Sequence, residues 1–273
     1  MSTDIGTYTP ETQQEYLLNH AAITGLWNSG YGDALAYVEA NQPDVDYILS
    51  ETGSALSDPP REWQSGFAST LWAADFNLYA LTQGVKRLDG THRPAAPHSL
   101  WVPDDSVNDP ALGDSYNPGP QVRGPYFATP FVADFIGLQP GPVVQVLAED
   151  QQTAYIAYGA DGSTVARVAL LNLNYWAEGN GTRPSVSFAV PVSGEAVTVR
   201  RLHADAGAAA QGDDVDGSTI TWAGETWSYA VDEGQGHQTD APAEETVQVC
   251  DGVAVVEVPS SEAVIVYLGG GEA

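Results

Sequence analysis

The period of the apolar residues changes near residue 140, and that change restricts the chain to a two-part architecture. Before it, helical spacing alternates with short extended runs. After it, apolar and polar residues alternate with a period of two, and helical periodicity is absent. A chain of 273 residues is long enough for two modest domains, each with a core. A Pro-Gly-Pro stretch at Pro140–Pro142 marks the boundary, so residues 1–140 and 141–273 are read as separate domains.

The first part begins with a helix predicted over Thr9–Thr24, with Thr9 as N-cap and Pro10 in the first turn. A second helix is predicted over Tyr31–Asn41, stopped by Pro43. Asp46–Ser50 is a short apolar run that reads as a strand, with Glu51 at its C-terminal end. The best helical pattern covers Gln64–Gln83: Phe67, Leu71, Ala74, Leu78 and Leu81 fall on one face, and Gly84 ends it. A strand at Val85–Leu88, a proline-rich loop over 93–120 and a helix over Pro125–Ile136 follow. This order is that of the end of a (β/α)8 barrel. Two strands of that type cannot close a barrel, so the first part reads as an α/β barrel remnant: the last strands and helices of a TIM barrel.

The second part predicts strands at Val143–Leu147, Ala154–Tyr158, Val165–Asn172, Val186–Pro191, Ala196–Leu202, Ser218–Trp222, Trp227–Tyr229, Glu245–Val249, Val253–Val258 and Ala263–Leu268. Asp161-Gly162 and Asp251-Gly252 are hairpin signals between them. Many short strands with such turns read as an all-β antiparallel sandwich.

Nine basic residues face 36 acidic ones, for a formal net charge of −27. Such a chain repels nucleic acid and anionic membranes, and neither is expected as a partner. Solubility is the simple reading of the charge; a saline or acidic habitat is the sharper one. No stretch is long and apolar enough to span a bilayer. The opening MSTDIGTYTPE has no apolar run, so no signal peptide is expected in this chain. The sequon Asn180-Gly181-Thr182 suits a secreted protein, and an extracellular location is expected for the full-length form. The single cysteine, Cys250, sits in an alternating run and is expected to be a buried structural thiol. His20, His92 and His98 lack metal-ligand spacing, and no metal or cofactor is expected. His20 reads as a helix-packing residue.

Glu51 is the residue to weigh for chemistry, because a carboxylate at the C-terminal end of a barrel strand faces the mouth of the barrel. Trp27, Tyr31, Tyr47, Trp63, Trp72, Tyr79 and Trp101 make this part rich in aromatics. They read either as sugar-stacking faces beside carboxylates or as core, with Glu51 then a surface acid. Asp89 and His92, near the end of the next strand, are candidate substrate-binding residues, as are Trp101 and Arg123. For Arg123 a structural ion pair is the competing role. Trp176, Trp222 and Trp227 of the second part are expected to be mostly core.

The stretch Tyr47-Ile48-Leu49-Ser50-Glu51-Thr52-Gly53-Ser54 resembles the nucleophile motif of glycoside hydrolase family 79, the β-glucuronidase type. Leu17–His20, Phe67–Phe76 and Gly119–Phe127 resemble the family's flanking segments in order. Val165–Asn174, Ile220–Trp227 and Ser261–Val264 resemble its C-terminal β-sandwich.

The resemblance implies a retaining glycosidase acting on a glycan that bears a β-glucuronide, with Glu51 as nucleophile. It puts the acid/base glutamate on an earlier barrel strand, outside the matched part. An N-terminal companion chain or segment is therefore expected, and this chain alone is expected to be inactive. The loop after the nucleophile departs from the family in reading Ala55–Pro60, and an inward Asp58 disfavours a uronate. A non-catalytic carbohydrate-binding or interaction module is the competing reading. Helices without their barrel neighbours would expose apolar surface, so the isolated chain is expected to aggregate or to be stable only in its sandwich half.

Overall fold

The structure is a computed structural model that describes residues 8–54, 61–90, 99–103, 120–138, 141–212 and 219–268. His92, His98, Asp58 and most of the proline-rich loop lie outside the described residues.

Helix α1 (Pro10–Tyr16) starts on a reciprocal cap. The Thr9 hydroxyl accepts the Thr12 amide at 3.3 Å, and the Thr12 hydroxyl accepts the Thr9 amide at 2.9 Å. The helix predicted through Thr24 is split. Gln14 reaches past the end of α1, donating to the carbonyls of Leu18 (2.6 Å) and Leu173 (3.1 Å) and accepting the Tyr175 amide at 2.6 Å. Leu17 and Leu18 are thereby turned into the core, and Asn19 caps a new helix, α2 (His20–Gly30). Helix α3 (Gly32–Asn41) leads to strand β1 (Ile48–Thr52). The short α4 (Arg61–Gln64) and long α5 (Phe67–Thr82) precede β2 (Arg87–Gly90), which pairs parallel to β1. Strands β3 (Trp101–Val102) and β4 (Gln121–Val122) form an antiparallel ribbon, followed by a 3-10 turn (Gly124–Phe127) and α6 (Ala128–Ile136).

The remainder is β-rich: β5 (Val143–Ala148), β6 (Gln152–Tyr158), β7 (Val165–Asn172), β8 (Ser185–Pro191), β9 (Ala196–Ala204), β10 (Ile220–Trp222), β11 (Glu225–Trp227), the one-turn α7 (Tyr229–Asp232), β12 (Gly236–Gln238), β13 (Glu245–Cys250), β14 (Val253–Pro259) and β15 (Glu262–Tyr267). Nine of the ten predicted strands are present. The run predicted as a strand over Trp227–Tyr229 instead holds only the last residue of β11 before α7 begins at Tyr229, and β12 is additional. Ala223 and Gly224, with φ of 50° and 72°, turn the chain tightly between β10 and β11.

One curled antiparallel sheet runs β12-β11-β10-β9-β15-β7-β6-β5, and β13, β14 and β8 continue it into a second layer. Between the layers lies one core, with Val168, Leu170, Val199, Val256 and Val266. The other face of the same strands contributes Tyr155, Ala169, Leu171, Leu202 and Ile265 to a second core, shared with α2, α5 and α6. These central strands are therefore apolar on both faces, which explains their near-continuous hydrophobic runs. Cys250 is exposed, contrary to expectation. In β13 the inward positions are Glu245, Val247 and Val249, so parity places Cys250 outside, next to the tight turn at Asp251-Gly252.

Helix α5 was expected to bury one face. It is buried nearly all round, including Ala68, Trp72, Asp75, Phe76 and Ala80. The β-rich part grips it in two places. At its N-terminus, where no side chain caps it, the Phe67 and Ala68 amides donate to the carbonyls of Ala210 (2.8 Å) and Ala208 (3.0 Å). At mid-helix, the fully buried Asp75 accepts from Tyr155 (2.6 Å) and Thr153 (3.1 Å), and lies 2.7 Å from His20 Nδ1. Gln145 meets the other His20 nitrogen at 2.7 Å. Burial, then the neighbouring Asp75, pushes the Tyr155 hydroxyl well above its usual pKa, so it stays a donor. His20 is thus a helix-packing residue held by a buried acid.

Candidate active site

Glu51 stands near the C-terminal end of β1, where the strand is irregular. Leu49 pairs with Leu88, but Thr52 pairs with Gly90. Three steps on β1 match two on β2, so Ser50 and Glu51 together face the rung of Asp89. A bulge of this kind re-aims a side chain, and bulges are common beside active sites. Glu51 is exposed and Asp89 is half-buried, while Leu49 on the opposite face is core. The two strand ends are tied by the Thr52 hydroxyl, which donates to the Asp89 carbonyl at 3.2 Å. The Asp89 carboxylate is 3.0 Å from the Arg87 guanidinium, with both groups open to solvent.

Behind this edge is a cavity of about 260 Å³. Thr52, Gly53 and Ser54 line it from the β1 end, Gly90 from β2, and Ser69 and Trp72 from α5. Among the described residues its lining has hydroxyls, amides and apolar groups, and no charged side chain. The hydroxyls of Ser69 and Ser54 lie 2.9 Å apart, and Ser69 also donates to the Trp63 carbonyl at 3.0 Å.

The structure divides the remaining sequence candidates. Arg123 is buried at the start of the 3-10 turn, and its Nε donates to Gln121 at 3.2 Å. Its amide donates to the Leu100 carbonyl, which joins this turn to the β3 segment. Gly124 follows, and a Cβ there would come 2.6 Å from the Ser65 carbonyl oxygen, so only glycine allows this approach to the start of α5. Trp101 is half open to solvent and meets Tyr126 edge-on at 6.3 Å. Of the other aromatics, Trp27, Trp63 and Trp72 are buried, and Tyr31, Tyr47 and Tyr79 pack on the same core. The core reading holds for these six, and Trp101 alone of the seven is exposed. In the β-rich part Trp222 is buried, while Trp176 and Trp227 are half-buried.

The sequence reading assigned no role to Ser54, Ser69 or Asp75. Lone serines carry no pattern of their own. A charged residue in the apolar run of α5 was a usable signal, since buried acids are kept only with partners.

Residues 154–265 match the family model described as glycosyl hydrolase family 79 C-terminal beta domain. A β-glucuronidase of Aspergillus niger is 32% identical over 248 residues, which is 83% of this chain and 42% of that protein. A β-glucuronidase of Neurospora crassa is 26% identical, over 82% of this chain and 43% of that protein. The chain thus spans less than half the length of these relatives. The crystal structure of a 4-O-α-L-rhamnosyl-β-D-glucuronidase from Fusarium oxysporum, in complex with Rha-GlcA, shares the fold. Its TM-score is 0.75 at 22% identity, over 93% of this chain and 50% of that one. Over residues 154–265 the chain thus resembles the C-terminal beta domain of glycosyl hydrolase family 79, and over most of its length it resembles these two β-glucuronidases.

Proposed function

We propose that this chain is the C-terminal portion of a retaining glycoside hydrolase that cleaves β-glucuronides, with Glu51 as its nucleophile. The observation that carries the reading is the bulged end of β1, which sets Glu51 and Asp89 side by side at the open ends of two parallel strands. On this reading β1 and β2 are the last strands of a TIM barrel, and a segment upstream supplies the other strands and the acid/base carboxyl group. The relatives' greater length and their β-glucuronidase names support this division.

The Glu51 carboxylate attacks C1 of the sugar as the C1–O bond to the leaving group breaks. The upstream carboxylic acid, ~5–5.5 Å away, gives its proton to that oxygen. The same group, now a carboxylate, takes a proton from water, which attacks C1 and frees Glu51. Asp89 is placed to accept a hydrogen bond from a sugar hydroxyl. Trp101 offers an exposed aromatic face to the glycan, while Arg123 and His92 remain candidates for the sugar's carboxylate. Secretion of the full-length protein belongs to the same reading, and the sequon at Asn180 lies on an exposed turn.

The test is Glu51→Gln in the full-length protein, assayed on an aryl β-glucuronide. A loss of kcat of about a thousandfold or more is expected. Full activity in that variant would show that the nucleophile lies elsewhere.

A further inference from the structure

Gly53 separates the β1 end from Ser54, and a glycine there leaves the backbone free to take several paths. On one side of it, Thr52 is held by its bond to the Asp89 carbonyl. On the other side, Ser54 meets Ser69 at 2.9 Å. Ser69 has one proton, and its second neighbour, the Trp63 carbonyl at 3.0 Å, can only accept. The Ser69 proton therefore goes to Trp63, and Ser54 donates to Ser69. Ser69 is fully buried in the first turn of α5, where the Ala208 and Ala210 carbonyls hold the helix start in place. A frame built by the β domain thus ends on the turn that follows Glu51.

We propose that Ser69 is a positioning residue for Glu51: by accepting from Ser54 and donating to Trp63 it fixes the Thr52–Ser54 turn and so the aim of the carboxylate. The inference rests on the nucleophile reading above. Its effect falls on the chemical step, because a displaced carboxylate attacks C1 less often while sugar contacts elsewhere are kept.

The experiment uses the full-length protein and compares Glu51→Gln, Ser69→Ala, Ser54→Ala and the Ser54→Ala/Ser69→Ala double variant on an aryl β-glucuronide. Ser69→Ala is expected to lower kcat about tenfold, with KM within about twofold. Ser54→Ala should lose no more than Ser69→Ala, which also removes the Trp63 bond, and the double variant should lose no more than Ser69→Ala, in which the Ser54–Ser69 bond is already gone. Hydrogen exchange should rise in the peptide covering 49–54 in each serine variant, while the rest of the protein keeps its protection. If Ser69→Ala fails to fold, Ser54→Ala removes the same bond from the less buried side. Unchanged kcat in Ser54→Ala, or losses that multiply in the double variant, would overturn the positioning role while Glu51→Gln stays inactive. An active Glu51→Gln would instead sink the nucleophile reading, and the positioning role with it.

Discussion

Strands β1 and β15 are nearly equal in length and meet opposite fates. In β1 only Leu49 is buried, and Ile48 remains 41% exposed. In β15 every residue from Glu262 to Val266 is buried. The difference lies in the neighbours. β15 is flanked by β7 and β9 and has a core on each face, whereas β1 has one partner among the described residues, β2. Burial is a property of the assembly around a strand. The composition of the strand only permits it. Leu26 of α2 and Tyr37 of α3 are likewise exposed.

The contrast breaks most sharply at Asp75, where the two regions are joined. Asp75→Ala strands Tyr155, Thr153 and His20 in the interior, and a loss of about 3–5 kcal/mol is expected. Urea unfolding should then shift to a lower midpoint, with the helices and the sheet that share the core melting together.

A smaller effect separates the regions by pH. In the β domain, burial pushes Glu262 up, but His203 and Arg201 outweigh it and hold the carboxyl below its ordinary value of 4.5. Burial likewise pushes His203 down, and Glu262 outweighs it, so the imidazole sits above its ordinary 6.5. The lowered acid contributes stability above pH 4.5 that is lost as pH falls through its folded value. The raised histidine contributes below pH 6.5, and this is lost as pH rises through its folded value. The β domain should be most stable between these limits, and His203→Gln should flatten the alkaline side and, because it also releases Glu262, weaken the acid side, as thermal melts across pH 4–9 would show. The smallest effect is expected at Cys250: its exposed place on β13 predicts that Cys250→Ser shifts stability by no more than about 0.5 kcal/mol, read from the urea midpoint.

The β domain was legible because alternation survives in its strands and Asp-Gly turns punctuate them; Asp251-Gly252 closes β13 on β14 with positive φ at both residues. The helix split at Leu17–Asn19 was not legible, since its cause is Gln14 reaching Leu173 and Tyr175, some 160 positions along the chain. The all-round burial of α5 escaped for a related reason: periodicity shows which face is most apolar, not how many neighbours arrive. At the site, Glu51 stood out through its motif, but the bulge that aims it depends on β2 pairing. Cys250 was misjudged because hydrophobic alternation fixes faces only when the parity of the strand is known.

The two-faced sheet also bears on how this domain can be inherited and exchanged. A recombination point at the Pro-Gly-Pro stretch would look natural, yet it would separate Tyr155, Leu171, Leu202 and Ile265 from the helices that cover them. The β-rich half is therefore not self-contained, and the expectation that it is the stable part standing alone does not follow from its structure. A β domain shuffled between relatives would arrive with a bare apolar face. The smallest heritable unit is the sheet together with α2, α5 and α6.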